Sequence, residues 1–109
     1  MSFAERSIQL GDYGARFVVT CIDLDGTVID LTNMSNAYYV FKRPDGTVEA
    51  DQEVQWANPN DPTDGRLHWD SPIDFFDVAG HWQWQVRVEF GTDMIFRSDI
   101  IRFLVKENL

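Results

Sequence analysis

The protein has 109 residues and a formal net charge of -9, with 44% apolar and 14% aromatic residues. This content, with a single cysteine, excludes a disordered chain and a disulfide scaffold, and the length excludes a two-domain enzyme. We therefore predict a single domain over residues 1–109. Its strand pattern predicts a β-sandwich, in which residues 1–9 form an N-terminal arm or an edge strand.

Strands are predicted wherever apolar and polar residues alternate with period two. The clearest pattern covers residues 81–90, where Trp82, Trp84, Val86, Val88 and Phe90 share one face. In chain order the predicted strands are 8–10 at an edge, 16–23, 28–31, 37–43, 48–56, 67–69, 81–90 and a long final strand over 94–106, bent near Ser98-Asp99.

Turn signals separate these strands at the spacing of an all-β sandwich. They are Asp25-Gly26, Pro44-Asp45-Gly46, Asp64-Gly65 and Gly91-Thr92-Asp93. Residues 58–65 are predicted to form a loop, because two prolines would interrupt a central strand. Very little helix is expected, beyond one short helical turn within residues 71–78.

The segment from Asp77 to Trp82 resembles the corner before strand F of immunoglobulin-like domains, where an Asp and a Gly precede an aromatic residue. Trp82 takes the place of that aromatic residue, and Trp84 the core position that a cysteine fills in antibody domains. The resemblance implies an immunoglobulin-like antiparallel β-sandwich of about seven to nine strands.

The motif Asp23-Leu24-Asp25-Gly26-Thr27 follows an apolar strand and resembles the first motif of haloacid-dehalogenase-like phosphatases. That resemblance implies that Asp23 is a nucleophile and Asp25 an acid/base near Mg²⁺. However, that fold needs a parallel sheet covered by helices, and the chain has no long helical pattern. The alternative is a β-hairpin with its turn at Asp25-Gly26.

Other chemistry has little support in the residues. With one cysteine, Cys21, in an apolar run and only two histidines, His68 and His81, a zinc site lacks ligands. We predict no enzyme activity, no cofactor and no metal, although the acids of the 58–65 loop leave Ca²⁺ binding open. Four tryptophans suggest a sugar platform, but Trp56, Trp82 and Trp84 fall on apolar strand faces.

As an ordered set, the motifs resemble the N-terminal immunoglobulin-like domain of phage baseplate upper proteins and related small tail and virion modules. The motifs are Gly11-Asp12, Phe17-Val18-Val19, Asp23-Leu24-Asp25-Gly26-Thr27, Asp30-Leu31-Thr32, Tyr39-Val40-Phe41-Lys42-Arg43-Pro44-Asp45-Gly46-Thr47, Gly65-Arg66-Leu67, Gly80-His81-Trp82 with Gln85-Val86, Phe96-Arg97-Ser98 and Phe103-Leu104-Val105.

The resemblance implies a non-enzymatic bacteriophage virion protein, of the tail or baseplate or an adaptor, made in the host cytoplasm and acting through assembly contacts. A capsid-associated decoration protein and a carbohydrate or cell-surface binding module are the alternatives. The expected partners are other virion proteins with a basic docking surface and further copies of this chain. Neither nucleic acid nor a membrane is expected, because the basic residues are scattered and no apolar run reaches 18 residues.

Docking residues are predicted from the loops and from the acidic strand face. The aromatic and apolar candidates are Tyr13, Met34, Phe75 and Phe76; for the two phenylalanines, the alternative is that at least one caps the end of the core. The acidic candidates are Glu49, Asp51 and Glu53.

Overall fold

In a computed structural model, which describes residues 8–92 and 94–108, the chain forms two β-sheets that pack face to face. Nine strands and one short 3₁₀ turn, Pro62–Asp64, occur in these residues. The strands are β1 (Ile8–Gln9), β2 (Arg16–Thr20), β3 (Asn36–Lys42), β4 (Gln52–Glu53), β5 (Gln55–Trp56), β6 (Arg66–Asp70), β7 (Gly80–Phe90), β8 (Met94–Arg97) and β9 (Ile101–Lys106). The all-β prediction is confirmed.

The strand order is that of an immunoglobulin-like sandwich. The larger sheet runs β1-β9-β7-β3-β4, with β8 also paired to β7, and the smaller sheet runs β2-β6-β5. In the larger sheet, β9, β7, β3 and β4 correspond to strands G, F, C and C′ of immunoglobulin domains. In the smaller sheet, β2, β6 and β5 correspond to strands B, E and D. One pairing departs from the predicted antiparallel arrangement, because β1 runs parallel to β9.

The core lies between the sheets and is mostly aromatic. Along β7, Trp82, Trp84, Val86 and Val88 are buried, as their alternation with polar residues predicts. The ring of Phe17 on β2 meets that of Trp84 edge to face, with centroids 5.4 Å apart. This contact ties the two sheets together at the position on strand F where antibody domains carry a disulfide cysteine.

The predicted corner before β7 is present. The Trp82 indole donates a hydrogen bond to the carbonyl oxygen of Val78, with an N–O distance of 3.1 Å. A tyrosine hydroxyl makes the equivalent bond back to the upstream backbone in immunoglobulin domains. Because Trp82 is fully buried, this bond satisfies a donor that would otherwise lose its hydration at a cost.

Three predicted elements are wrong. No strand forms over 28–31, where only an isolated bridge joins Val28 to Ile22. The single strand over 48–56 is instead two short strands in different sheets, β4 paired to β3 and β5 paired to β6. Val54 lies at the crossing and is buried, whereas Val48 is 58% exposed. No helical turn forms within residues 71–78; the 3₁₀ turn lies instead in the proline-containing loop, where the Asp61 side chain caps it.

The bend in the predicted final strand is a one-residue bulge between β8 and β9, both of which pair with β7. Arg97 lies opposite Arg87, and Ile101 lies opposite Trp84. The three residues between Arg97 and Ile101 therefore face only the two residues between Trp84 and Arg87. Ser98 stabilises the bulge, since its hydroxyl oxygen accepts a 2.9 Å hydrogen bond from the Val86 amide. The edge strand at β1 is confirmed; residues 1–7 of the predicted arm and turn residue Asp93 lie outside the described residues.

Candidate protein-binding surfaces

Three of the four predicted apolar docking residues are less accessible than expected. Phe76 is fully buried, Phe75 is half-buried against the core, and Met34 also packs against it. Only Tyr13, at 63% exposed, lies open to solvent. The prediction of an exposed phenylalanine pair is therefore wrong. Phe76 belongs to the core, where its ring meets that of Trp82 edge to face with centroids 5.2 Å apart.

Two of the three predicted acidic docking residues already have cationic partners within the chain. Glu49 pairs with Arg43, and Asp51 pairs with Arg87 at 2.6 Å. The hydrogen bond to Asp51 is the largest cause that raises the pKa of the Arg87 guanidinium. Glu53 is exposed. The acidity of this strand face is thus largely neutralised, and it offers little attraction to a basic partner.

The carboxylates of the phosphatase-like motif lie in a hairpin turn. The Asp23 amide donates to the Thr27 carbonyl at 2.8 Å, and the Gly26 amide donates to the Asp23 carbonyl at 2.9 Å. One Asp25 carboxylate oxygen accepts from both the amide and the hydroxyl of Thr27, at 3.0 and 2.6 Å. These bonds lower the pKa of Asp25, the hydroxyl contributing most. The hairpin prediction is confirmed.

This hairpin is fixed to the rest of the sandwich at Gly65. Gly65 has φ +68, and a Cβ there would lie 2.9 Å from the Ile29 carbonyl oxygen, 3.1 Å from the Cys21 carbonyl oxygen and still nearer to the Val28 side chain. Only glycine fits this position without strain. The hairpin therefore projects from the domain in a defined direction.

An apolar residue that sequence reasoning missed stands at the tip of the hairpin. Leu24 is fully exposed, and Ile22, Val28, Met94 and Ile95 near it are each about half exposed. We call these five residues the hairpin surface. Ile22, Leu24, Met94 and Ile95 line a groove of about 590 Å³ that runs between the end of β2 and β8.

Both strands that border the groove have an unpaired edge. In the part of the chain that the structure describes, β2 pairs only with β6, and β8 pairs only with β7. Unpaired edges present backbone donors and acceptors that another strand can bind. The sequence does contain a signal for this surface. Leu24 is an apolar residue at the first central position of the turn that ends at Asp25-Gly26, a position that usually faces solvent.

A second surface, the outer face of the larger sheet, collects basic residues. Alternation along β3, β7, β8 and β9 places five cations on this face, which we call the basic face: Lys42, Arg87, Arg97, Arg102 and Lys106. Arg87 pairs with Asp51 at 2.6 Å and with Glu89 at 3.3 Å, and it lies 4.7 Å from the Tyr38 ring centroid. Glu89 and Glu53 share this face with the five cations. The other four cations make no ion pair with any described residue.

The residues considered for metal or nucleophile chemistry do not converge. Among residues 8–92 and 94–108, no group of three His, Cys, Asp or Glu is placed to hold a metal ion. In the 58–65 loop, Asn58, Asp61 and Asp64 each accept a hydrogen bond from an amide two residues later. Cys21 is buried, which raises the pKa of its thiol to about 11 and leaves it unreactive at neutral pH.

The tryptophans line no open platform. Trp69, Trp82 and Trp84 are buried, and Trp56 packs against the core from a half-buried position. Stacking on a sugar uses an exposed tryptophan face, which none of these four side chains fully presents.

Comparison with known protein families, with curated proteins and with solved structures finds no match to this chain. In the described residues, no helix is long and apolar enough to cross a membrane.

Proposed function

We propose that this protein is a non-enzymatic structural protein of a bacteriophage virion, a component of the tail or baseplate or an adaptor, that acts through contacts with other virion proteins. A capsid-associated decoration protein would use contacts of the same kind and is the second form of this proposal. The protein would be made in the host cytoplasm and reside in the virion.

The exposure of Leu24 is the observation that carries the proposal. Its side chain is fully exposed on a hairpin held by turn hydrogen bonds and by the tight fit at Gly65. Four more exposed apolar residues surround it. A rigid apolar projection loses little conformational entropy on binding, which is why such features serve as anchors in protein interfaces.

The fold and the order of the motifs support the same role. The sandwich presents unpaired edges at β2 and β8 beside the hairpin surface, and these can accept a strand from a neighbour. The motifs that resemble phage baseplate modules occur in the same order along the chain. The acids of the phosphatase-like motif are engaged in turn bonds, which favours an assembly role over hydrolysis.

Mass spectrometry of purified phage particles from the source of the gene tests this proposal. We expect the protein at a defined stoichiometry, and its absence from every particle would overturn the proposal. Particles assembled in the presence of Leu24→Asp should lose the protein. Those assembled with Ile73→Asp should retain it, because Ile73 is 67% exposed but lies outside the groove.

A further inference from the structure

The hairpin tip and the basic face carry opposite charges. Asp23 and Asp25 flank Leu24 at the tip, and both Asp99 and Arg97 line the groove beside it. On the basic face, Lys42 and Arg102 are exposed and have no ion pair with any described residue. The chain thus contains both an acidic apolar projection and a basic surface that could receive it.

The basic face also has an apolar depression. Lys42 and Arg102 both lie opposite Gln83 in the sheet, and Val48 bridges to Lys42, so these side chains form one row. Next to this row, Val40, Val48 and Ile100 line a pocket of about 140 Å³. We call this the sheet pocket.

The sheet pocket suits a single aliphatic side chain. Its volume of about 140 Å³ is close to that of an apolar cavity of roughly 150 Å³ that holds one benzene molecule. A leucine side chain, with four carbon atoms, is smaller than benzene. Val48 and Ile100 on its rim are 58% and 50% exposed, so a bound leucine would cover apolar surface that the monomer leaves in water.

We propose that the occupant of the sheet pocket is Leu24 from a second copy of this chain. In this contact Asp23 and Asp25 of one copy approach Lys42 and Arg102 of the next. The two copies use different surfaces, so repetition of the contact builds a ring or a row of subunits. This inference rests on the proposed assembly role and specifies one of its partners.

The net charge of -9 does not prevent such a contact at physiological salt. At about 0.15 M ionic strength the screening length is about 8 Å. Charges across the chain are then screened from one another, and the nearest charges at the contact determine the sign of the interaction. Those charges are two aspartates facing two cations.

Sedimentation velocity of the purified chain at about 0.15 M salt, over a range of concentrations, tests the contact. We expect species heavier than the 12.6 kDa monomer. Leu24→Asp should weaken association about 10- to 100-fold, as expected for loss of one buried leucine. Ile73→Asp, the matched control, should associate as the wild type does.

A charge exchange makes the test specific for the two surfaces. The tip variant Asp23→Lys with Asp25→Asn keeps a side-chain acceptor for Thr27 but makes the tip positive. The face variant Lys42→Glu with Arg102→Glu makes the row of side chains beside the sheet pocket negative. Each variant alone should be monomeric, and a mixture of the two should form a complex. Unfolding curves that match the wild type would show that each variant is folded.

Two results would overturn this inference: a wild-type chain that stays monomeric at the highest soluble concentration, or a Leu24→Asp variant that associates as the wild type does. If the chain is monomeric yet present in particles, only the self-contact fails and the proposed function stands. If the chain is absent from particles, the proposed function fails whatever its state in solution.

Discussion

Two hairpins of this protein share the sequence Asp-Gly-Thr-Val and the same turn, yet they differ in what surrounds them. In the first hairpin, the amide of Asp23 donates to Thr27 and that of Gly26 to Asp23; in the second, the amide of Arg43 donates to Thr47 and that of Gly46 to Arg43. The two bond lengths are the same in both hairpins, 2.8 and 2.9 Å, and the two glycines have φ +88 and +91.

The tip of the second hairpin packs against the domain, whereas the tip of the first does not. Pro44 at the tip of the second hairpin lies against Gly80, where an added Cβ would be 3.0 Å from the proline ring. Arg43 lies over the Trp82 ring at 5.1 Å and pairs with Glu49 and Asp77. Leu24 occupies the position of Pro44 in the first hairpin and meets only solvent. The local sequence therefore determines the turn. Contacts with residues distant in the chain determine whether the tip of the turn is packed against the domain or available for binding.

The largest expected effect comes from Gly65, which holds the first hairpin. Gly65→Ala should lower the free energy of unfolding by about 2 to 5 kcal/mol, through the left-handed backbone and overpacking against Val28 and two carbonyls. Gly46→Ala, the control, has the same backbone problem but its Cβ meets nothing nearer than 3.9 Å, so about 1 to 2 kcal/mol is expected. Urea unfolding measures both, and equal losses would contradict the tight fit.

Arg43 comes next, because it joins the second hairpin to the core. Arg43→Ala should lower the free energy of unfolding by about 1 to 2 kcal/mol, since its side chain is only 17% exposed and covers Trp82. The equivalent position in the first hairpin is Asp23, where Asp23→Ala should change stability by less than about 0.5 kcal/mol. Similar losses at both positions would remove the distinction between the hairpins.

An exchange of the two tip residues gives a smaller effect on stability. Pro44→Leu should cost about 0.4 to 1 kcal/mol, because the unfolded chain gains freedom and the contact with Gly80 changes. Leu24→Pro should change stability by less than about 0.5 kcal/mol, since the gain in rigidity is offset by the lost bond from the Leu24 amide to Asp23. Thermal unfolding checks both, and a large loss in Leu24→Pro would mean that Leu24 packs in the fold.

The smallest effect concerns the turn carboxylates. Hydrogen bonds from threonine lower the pKa of Asp25 and of Asp45, chiefly from the hydroxyl for Asp25 and from the backbone amide for Asp45. Thr27→Val should therefore raise the pKa of Asp25 more than Thr47→Val raises that of Asp45. NMR titration of the two carboxyl groups measures this, and equal shifts would contradict the difference in bonding.

The sign of the corresponding pH dependence follows from the direction of these shifts. A carboxyl group with a lowered pKa in the folded state stabilises the protein above the pKa of the unfolded chain, about 3.9. That contribution is lost as the pH falls below this value and through the folded-state pKa. The wild type should thus lose stability below about pH 4 slightly more steeply than Thr27→Val.

Several elements were predictable because one residue pattern alone sets them. Strict alternation over 81–90 fixed the buried face of β7, since a one-residue shift would place charged side chains in the core. The Asp-Gly turns and the Trp82 corner depend on local backbone chemistry in the same way. The prediction of a single strand over 48–56 was wrong because the chain crosses from one sheet to the other at Val54. Pairing with β3 on one side and with β6 on the other sets this crossing, and the segment's own residue pattern does not.

By itself, the sequence determined an all-β sandwich, its turns and most of its core, because period-two burial and turn chemistry act within a few residues. Tertiary structure decided which surfaces remain available. In the folded protein Phe76 is buried, Glu49 and Asp51 are paired with arginines, and Leu24 is exposed to solvent. Cations from four strands lie together on one face of the larger sheet. Exposure and charge at a surface are sums over elements distant in the chain, so no local pattern can specify them.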